Sequence, residues 1–263
     1  MNARRASRTL LLSAFALLVA SAAVLAQQAA TKQFEPTVGQ AGKDVVWVPT
    51  PQPLVEKMLD LAKVTPQDFV MDLGSGDGRT VITAAKRGAR AQGVEYNPDM
   101  VELSQRNAKA AGVDGKANFV KADLFETDFS KAQVVTMFLL PSINMRLRPT
   151  ILKMKPGTRV VSNTFTMEDW EPDQSETIAG DCVSWCTAHL WIVPAQVQGT
   201  WALANQSLTL TQKFQMLTGK LGTTDVTGRV RGDEITLTAG GMKYMGKVEG
   251  GAMKGANWSA ARK

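Results

Sequence analysis

Val70-Met71-Asp72-Leu73-Gly74-Ser75-Gly76-Asp77-Gly78-Arg79 is the stretch on which the fold turns. Phe69 to Leu73 is apolar except for one acid and reads as a buried strand. Gly74, Gly76 and Gly78 then make a tight turn, and Gly78 to Arg87 has helical spacing. Glycines let a backbone approach a ligand closely and adopt dihedrals closed to other residues. The start of the following helix adds outward-pointing N–H donors. A dinucleotide loop has the spacing Gly-x-Gly-x-x-Gly, but here the third glycine comes early. Asp72 also directs a carboxylate at the turn, where a pyrophosphate is repelled and an ammonium attracted. A nicotinamide enzyme is therefore disfavoured.

Outward from this turn the chain alternates between strand and helix. Ala91 to Glu95, Ala117 to Val120, Gln133 to Leu139 and Thr158 to Ser162 read as further strands. Pro53 opens a helix on one side of the turn; beyond it, Pro98 to Ala111 and Asn144 to Met154 read as two more. Such alternation with short connections implies an α/β fold, a parallel sheet covered by helices on both faces. Glu95 ends the second strand, 21 residues after Gly74, and suits both hydroxyls of a ribose. Tyr96 follows it. Asp123, after the third strand, is placed to accept a hydrogen bond from an adenine amino group, with Leu124 or Phe125 against the ring.

Together these residues resemble the class I S-adenosylmethionine (SAM)-dependent methyltransferases over roughly Val48 to Pro172. Within that class, Val48-Pro49-Thr50-Pro51, the glycine loop, Leu139-Leu140-Pro141 and Pro156-Gly157-Thr158-Arg159-Val160-Val161-Ser162 resemble the small protein-lysine methyltransferases related to the ATP-synthase c-subunit enzyme. The resemblance implies a Rossmann-like, seven-stranded sheet and SAM as cofactor. It places Asp72 and Gly74, Ser75, Gly76, Asp77 and Gly78 at the methionine part, Glu95 at the ribose, and Asp123 and Leu124 at the adenine, with Tyr96 also in the cofactor site. Val48 and Thr50 would cover the cofactor as a flap or serve as an ordinary extended lead-in. The acceptor implied is an amine, foremost a protein lysine, with a small molecule as alternative. Related amine enzymes place Asn/Asp-Pro-Pro-Tyr beyond strand four. Here Leu-Leu-Pro-Ser stands instead, which leaves the Leu140 or Pro141 carbonyl, or Asn144, to receive the amine. Alternatively, Pro141 simply ends the strand. Trp170 is read either as an acceptor-channel wall or as a core residue.

The two ends of the chain have a different character. Arg4, Arg5 and Arg8 precede an apolar run from Leu10 to Leu25 that ends in Ala26. Residues 1–26 read as a secretory signal peptide, which would engage the membrane during export and leave the protein periplasmic or secreted. The run is shorter than the ~20 residues that span a bilayer comfortably, and an inner-membrane anchor is the alternative. Residues 27–44 read as a linker and 45–196 as the SAM-binding domain. Residues 197–263 alternate apolar and polar positions between glycine-rich breaks, the pattern of a small antiparallel β domain with one buried face. Leu208, Leu210, Phe214 and Met216 would share that face, apart from a break at Gln212. The β domain carries nine basic against four acidic residues. That excess suits an anionic surface such as lipid headgroups, or a merely solvated face. No specific nucleic-acid partner is expected. If the β domain alone did the work, the protein would be a SAM-fold binder without catalysis. Cys182 and Cys186 can bond only if the chain turns between them. With one histidine, His189, they fall short of a metal site, and no metal is expected.

Overall fold

The computed structural model describes residues 33–180 and 182–263; the segment 1–26, read above as a signal peptide, lies outside the described residues. The chain divides into units Met1–Glu35 and Pro36–Lys263, and all that follows concerns the second. Its first part is a sheet with the order β3-β2-β1-β4-β5-β7-β6. The strands are β1 (Phe69–Leu73), β2 (Arg90–Glu95), β3 (Ala117–Lys121), β4 (Val134–Met137), β5 (Arg159–Asn163), β6 (Gln174–Thr177) and β7 (Thr187–Ile192). β1 to β5 are parallel; β7 runs antiparallel to β5, and β6 antiparallel to β7. The helices are α1 (Gln52–Leu61), α2 (Arg79–Lys86), α3 (Pro98–Ala110) and α4 (Pro141–Ile151). This is the seven-stranded, Rossmann-like sheet that the resemblance implies.

Local chemistry explains the helix starts. Asn97 caps α3 by accepting from the Asp99 N–H at 2.9 Å, and Pro98 occupies the first turn, where no N–H is needed. α4 begins at Pro141, three residues before the expected start at Asn144. Leu140 is extended and the fixed φ of Pro141 already suits a helix, so this proline opens the helix. β6 was not legible, because its residues are polar and mostly exposed and show no alternation. The parallel order reverses direction at β1. β2 lies on one side and β4 on the other, which opens a crevice beyond the strand ends.

The C-terminal part is an eight-stranded closed antiparallel barrel, β8 (Gly199–Leu203), β9 (Gln206–Lys213), β10 (Met216–Leu221), β11 (Thr224–Arg231), β12 (Glu234–Ala239), β13 (Met242–Glu249), β14 (Ala252–Gly255) and β15 (Ser259–Arg262). It is an up-and-down meander sealed by pairing of β15 with β8. Leu208 and Leu210 point inward with Trp201, as the alternation implies. Phe214 and Met216 do not continue that row. The chain reverses at Phe214, which has φ 55°, and Met216 emerges exposed. The break at Gln212 has its own cause, since its side chain bonds Val197 N, Ala195 O and Phe214 O at 2.7–3.0 Å.

That reversal docks the barrel on the sheet. The Phe214 ring stacks on Trp170 at 5.7 Å, with the Arg148 guanidinium 5.1 Å from its centroid. Gln215 Nε2 donates to Glu171 O at 2.8 Å, and Arg229 pairs at 2.6 Å with Asp173, whose side chain is almost fully buried. Trp170 is therefore a core residue of this contact, buried with Trp191, and does not wall an acceptor channel. Phe214→Ala removes the ring from the joint. It should cost about 2 kcal/mol of stability, and the loss should appear as a lower midpoint in urea unfolding.

Candidate functional site: the strand-end crevice

The crevice sits where β1, β2 and β4 end. Its floor is the glycine loop, in which Gly74, Gly76 and Gly78 all have positive φ. A Cβ on Gly76 would lie 2.7 Å from Trp47 Nε1, and one on Gly78 would lie 2.7 Å from the Phe119 ring. The loop must therefore be glycine at both points, for backbone and for space. α3 pins it from behind: Ser104 Oγ donates to Gly76 O at 2.8 Å, and Asn107 Nδ2 to Asp77 O at 3.0 Å. Gly78 faces this packing and starts α2, while Gly74, Ser75, Gly76 and Asp77 line the crevice.

The acids converge as the sequence suggests. Asp72 is buried and accepts a hydrogen bond from Thr136 Oγ1 at 2.6 Å. Burial pushes its pKa up to about 7, and the negative charges of Asp77 and Glu95 push the same way. Glu95 accepts from Gly76 N at 3.0 Å and Asn97 N at 2.9 Å, so its carboxylate is aimed before any ligand arrives. Asp123 accepts from Phe125 N at 2.9 Å and forms an ion pair with Lys43; the hydrogen bond from that ammonium holds its carboxyl below the ordinary range. Asp77 is paired with Arg79, whose Nη1 reaches Thr50 O at 2.8 Å. Val48, Thr50, Tyr96 and Leu124 line the same crevice.

Several members of the site were not legible in the sequence. Residues 40–47, expected within or beside a linker, fold back on themselves: Trp47 N donates to Gln40 O at 2.9 Å and Gly39 N to Trp47 O at 2.8 Å. This brings Lys43 to Asp123 and Trp47 to Gly76. A lysine and a tryptophan in a polar, Gly-containing stretch show no periodicity that would announce this. Among the residues expected to receive an amine, Leu140 is exposed and lines a second, adjoining cavity. Pro141 lines neither cavity. Asn144 is fully buried and holds Phe165 O and Thr166 O with its amide, both at 3.2 Å, so it braces the loop after β5. His189 lies in β7 between Ser175 and Thr164 O, and burial lowers its pKa. Cys182 and Cys186 are bonded across a turn.

The chemistry of the lining is one-sided. Among the described residues, Asp44, Asp72, Asp77, Glu95 and Asp123 face two cations, Lys43 and Arg79, each already engaged. A buried carboxylate without a counter-charge suits a cationic ligand, and the aminoacyl sulfonium of SAM supplies two positive centres.

Comparison with known proteins agrees with the geometry. The sequence profile of the ANTKMT methyltransferase domain matches residues 72–174. A protein-lysine N-methyltransferase of Saccharolobus islandicus is 48% identical over 133 residues, covering 49% of this chain and 83% of its own length. The human ATP-synthase c-subunit lysine N-methyltransferase is 34% identical over 48% of this chain and 54% of its own length. The chain thus spans about half of that relative. A solved RNA methyltransferase from Salinibacter ruber, bound to S-adenosyl-L-homocysteine, shares 47% identity with a TM-score of 0.53, over 57% of this chain and 96% of that one.

An Asp72 that meets the positive charge of the cofactor would make binding depend on pH. Its folded-state pKa of about 7 lies above the ~3.9 of an unfolded aspartate, so the empty protein holds the extra proton in between. The stability contributed by this group therefore falls as pH rises from about 4 to about 7. A cationic ligand favours the ionised form. Affinity for S-adenosylhomocysteine should accordingly fall about tenfold per pH unit below about pH 7. Asp72→Asn should bind weakly at every pH and show no such slope, as measured by calorimetry from about pH 5.5 to about 8.5. The chain belongs to the family of SAM-dependent methyltransferases that includes the Saccharolobus protein-lysine N-methyltransferase.

Proposed function

We propose that this methyltransferase moves a methyl group from SAM to the ε-amine of lysine in a protein. The observation that carries the reading is the convergence of Asp72, Glu95 and Asp123 around one glycine loop, each at a strand end of the same crevice. The names of the lysine-modifying relatives support the acceptor. SAM supplies an electrophilic methyl: the amine lone pair forms the C–N bond as the C–S bond breaks, and a proton leaves to solvent. Asp72 and the glycine loop would hold the amino-acid end and Glu95 the ribose. Asp123 would meet the adenine once Lys43 yields its carboxylate. Trp47 and the segment to Thr50, tied down by Arg79, would keep water from the reacting side; positioning of this kind contributes several kcal/mol to such displacements.

We further propose that the protein is exported. The Cys182–Cys186 bridge supports an oxidising compartment, where such bonds persist, and the N-terminal segment would carry the chain there. Periplasmic and cytoplasmic fractions probed for the native protein should show it in the first; confinement to the cytoplasm would overturn this part.

The acceptor is tested by incubating the purified protein with methyl-labelled SAM and two substrates, envelope protein and total RNA. Acid hydrolysis should return the label as methyl-lysine. Label in RNA alone would reject the lysine acceptor and leave the transferase intact.

A further inference from the structure

A second cavity shares a wall with the cofactor crevice. Val46, Phe138, Leu140, Phe165 and Trp185 line it, and Asp44 is the single charged residue in its lining among the described residues. Phe138 stacks on Phe165 at 5.9 Å and meets the Trp185 ring at 6.0 Å and 60°. Asp44 also borders the crevice, as do Val45, Val46, Val48, Phe138 and Leu139, so the two spaces share this wall. Lys43, its ion-pair neighbour, is 4.0 Å away and already engaged by Asp123.

Apolar walls, aromatic rings and one carboxylate in the lining match a methylene chain that ends in an ammonium. The chain buries against Val46 and Leu140, while aromatic faces attract the cation and the carboxylate opposes its charge. A phosphate-bearing ligand would be repelled by Asp44, and an uncharged chain would gain nothing from that carboxylate.

Trp185 reaches this wall from an unusual backbone position. It has φ 56° inside the turn closed by the Cys182–Cys186 bond, whose Cα atoms are 5.8 Å apart. The left-handed region is costly for a bulky side chain, and the covalent ring ties together the two ends of the turn that carries the indole.

We propose that Asp44, Phe138, Phe165 and Trp185 form the channel that selects the acceptor lysine side chain, with the disulfide-closed turn holding Trp185 in its wall. This rests on the amine-acceptor reading above. The test uses the full chain saturated with S-adenosylhomocysteine and two probes, Nα-acetyl-lysine methyl ester and its uncharged analogue Nα-acetyl-norleucine methyl ester. Binding is read by ligand-observed NMR. The lysine ester should bind about tenfold more tightly than the norleucine ester, and Asp44→Asn should erase that preference. Trp185→Ala should weaken both esters, and reduction of the bridge with dithiothreitol should do the same to the wild-type protein, which needs no variant to fold. Equal affinity of the wild type for the two esters overturns the proposal. So does a preference that survives in Asp44→Asn, or binding indifferent to both Trp185→Ala and reduction. If these failures occur while the wild type still methylates protein lysine, the channel alone is misplaced. If the lysine ester does not bind and label enters only RNA, the acceptor reading falls with it.

Discussion

A carboxylate held away from water at the end of the central strand is the constraint around which the rest is arranged. Burying Asp72 is unfavourable, and the hydroxyl it accepts from Thr136 on the neighbouring strand cannot replace a hydration shell. The glycine loop, the turn after β2 and the lead into α2 all take their shape beside that group. The empty protein answers the cost by keeping the proton. A ligand that brings positive charge reverses the balance, so occupancy and the ionisation of one aspartate are two views of a single equilibrium.

The same electrostatics governs the lid over the crevice. Among the described residues, Arg79 and Lys43 are its only lining cations, and neither neutralises Asp72. Arg79 bridges Asp77 on the floor to the Thr50 carbonyl on the cover, and Lys43 joins the folded-back segment to Asp123. The segment between Gln40 and Thr50 is thus fastened at two points to acids of the crevice itself. If Asp123 meets the adenine as proposed, closing that cover competes for the same carboxylate.

How much of this could be read from residues alone depended on the range of the signal. The sheet and the three convergent acids were legible because strand periodicity, glycine spacing and strand-end position are local properties. The barrel's alternating strands were legible for the same reason, but its closure was not, since pairing of β15 with β8 joins distant stretches such as Ala260 and Leu203. The inward row was misjudged at Phe214 because a residue in a left-handed turn breaks a period of two without any glycine to mark it. Asn144 looked like an amide waiting for a substrate, yet it is spent on two carbonyls after β5, a long-range bond invisible in one dimension. Lys43 and Trp47 enter the crevice, and Trp185 the adjoining cavity, from irregular segments, where no pattern exists to read.

The sealed barrel limits how the C-terminal part can meet other molecules. Every strand in it has a hydrogen-bonded neighbour on both sides, so it offers no open backbone row to an incoming chain. Strand addition, by which many β modules capture an extended peptide, is closed to it. Whatever the barrel recognises, it must recognise through side chains on its outer surface or in its connecting turns, and those positions can change without disturbing the ladder beneath.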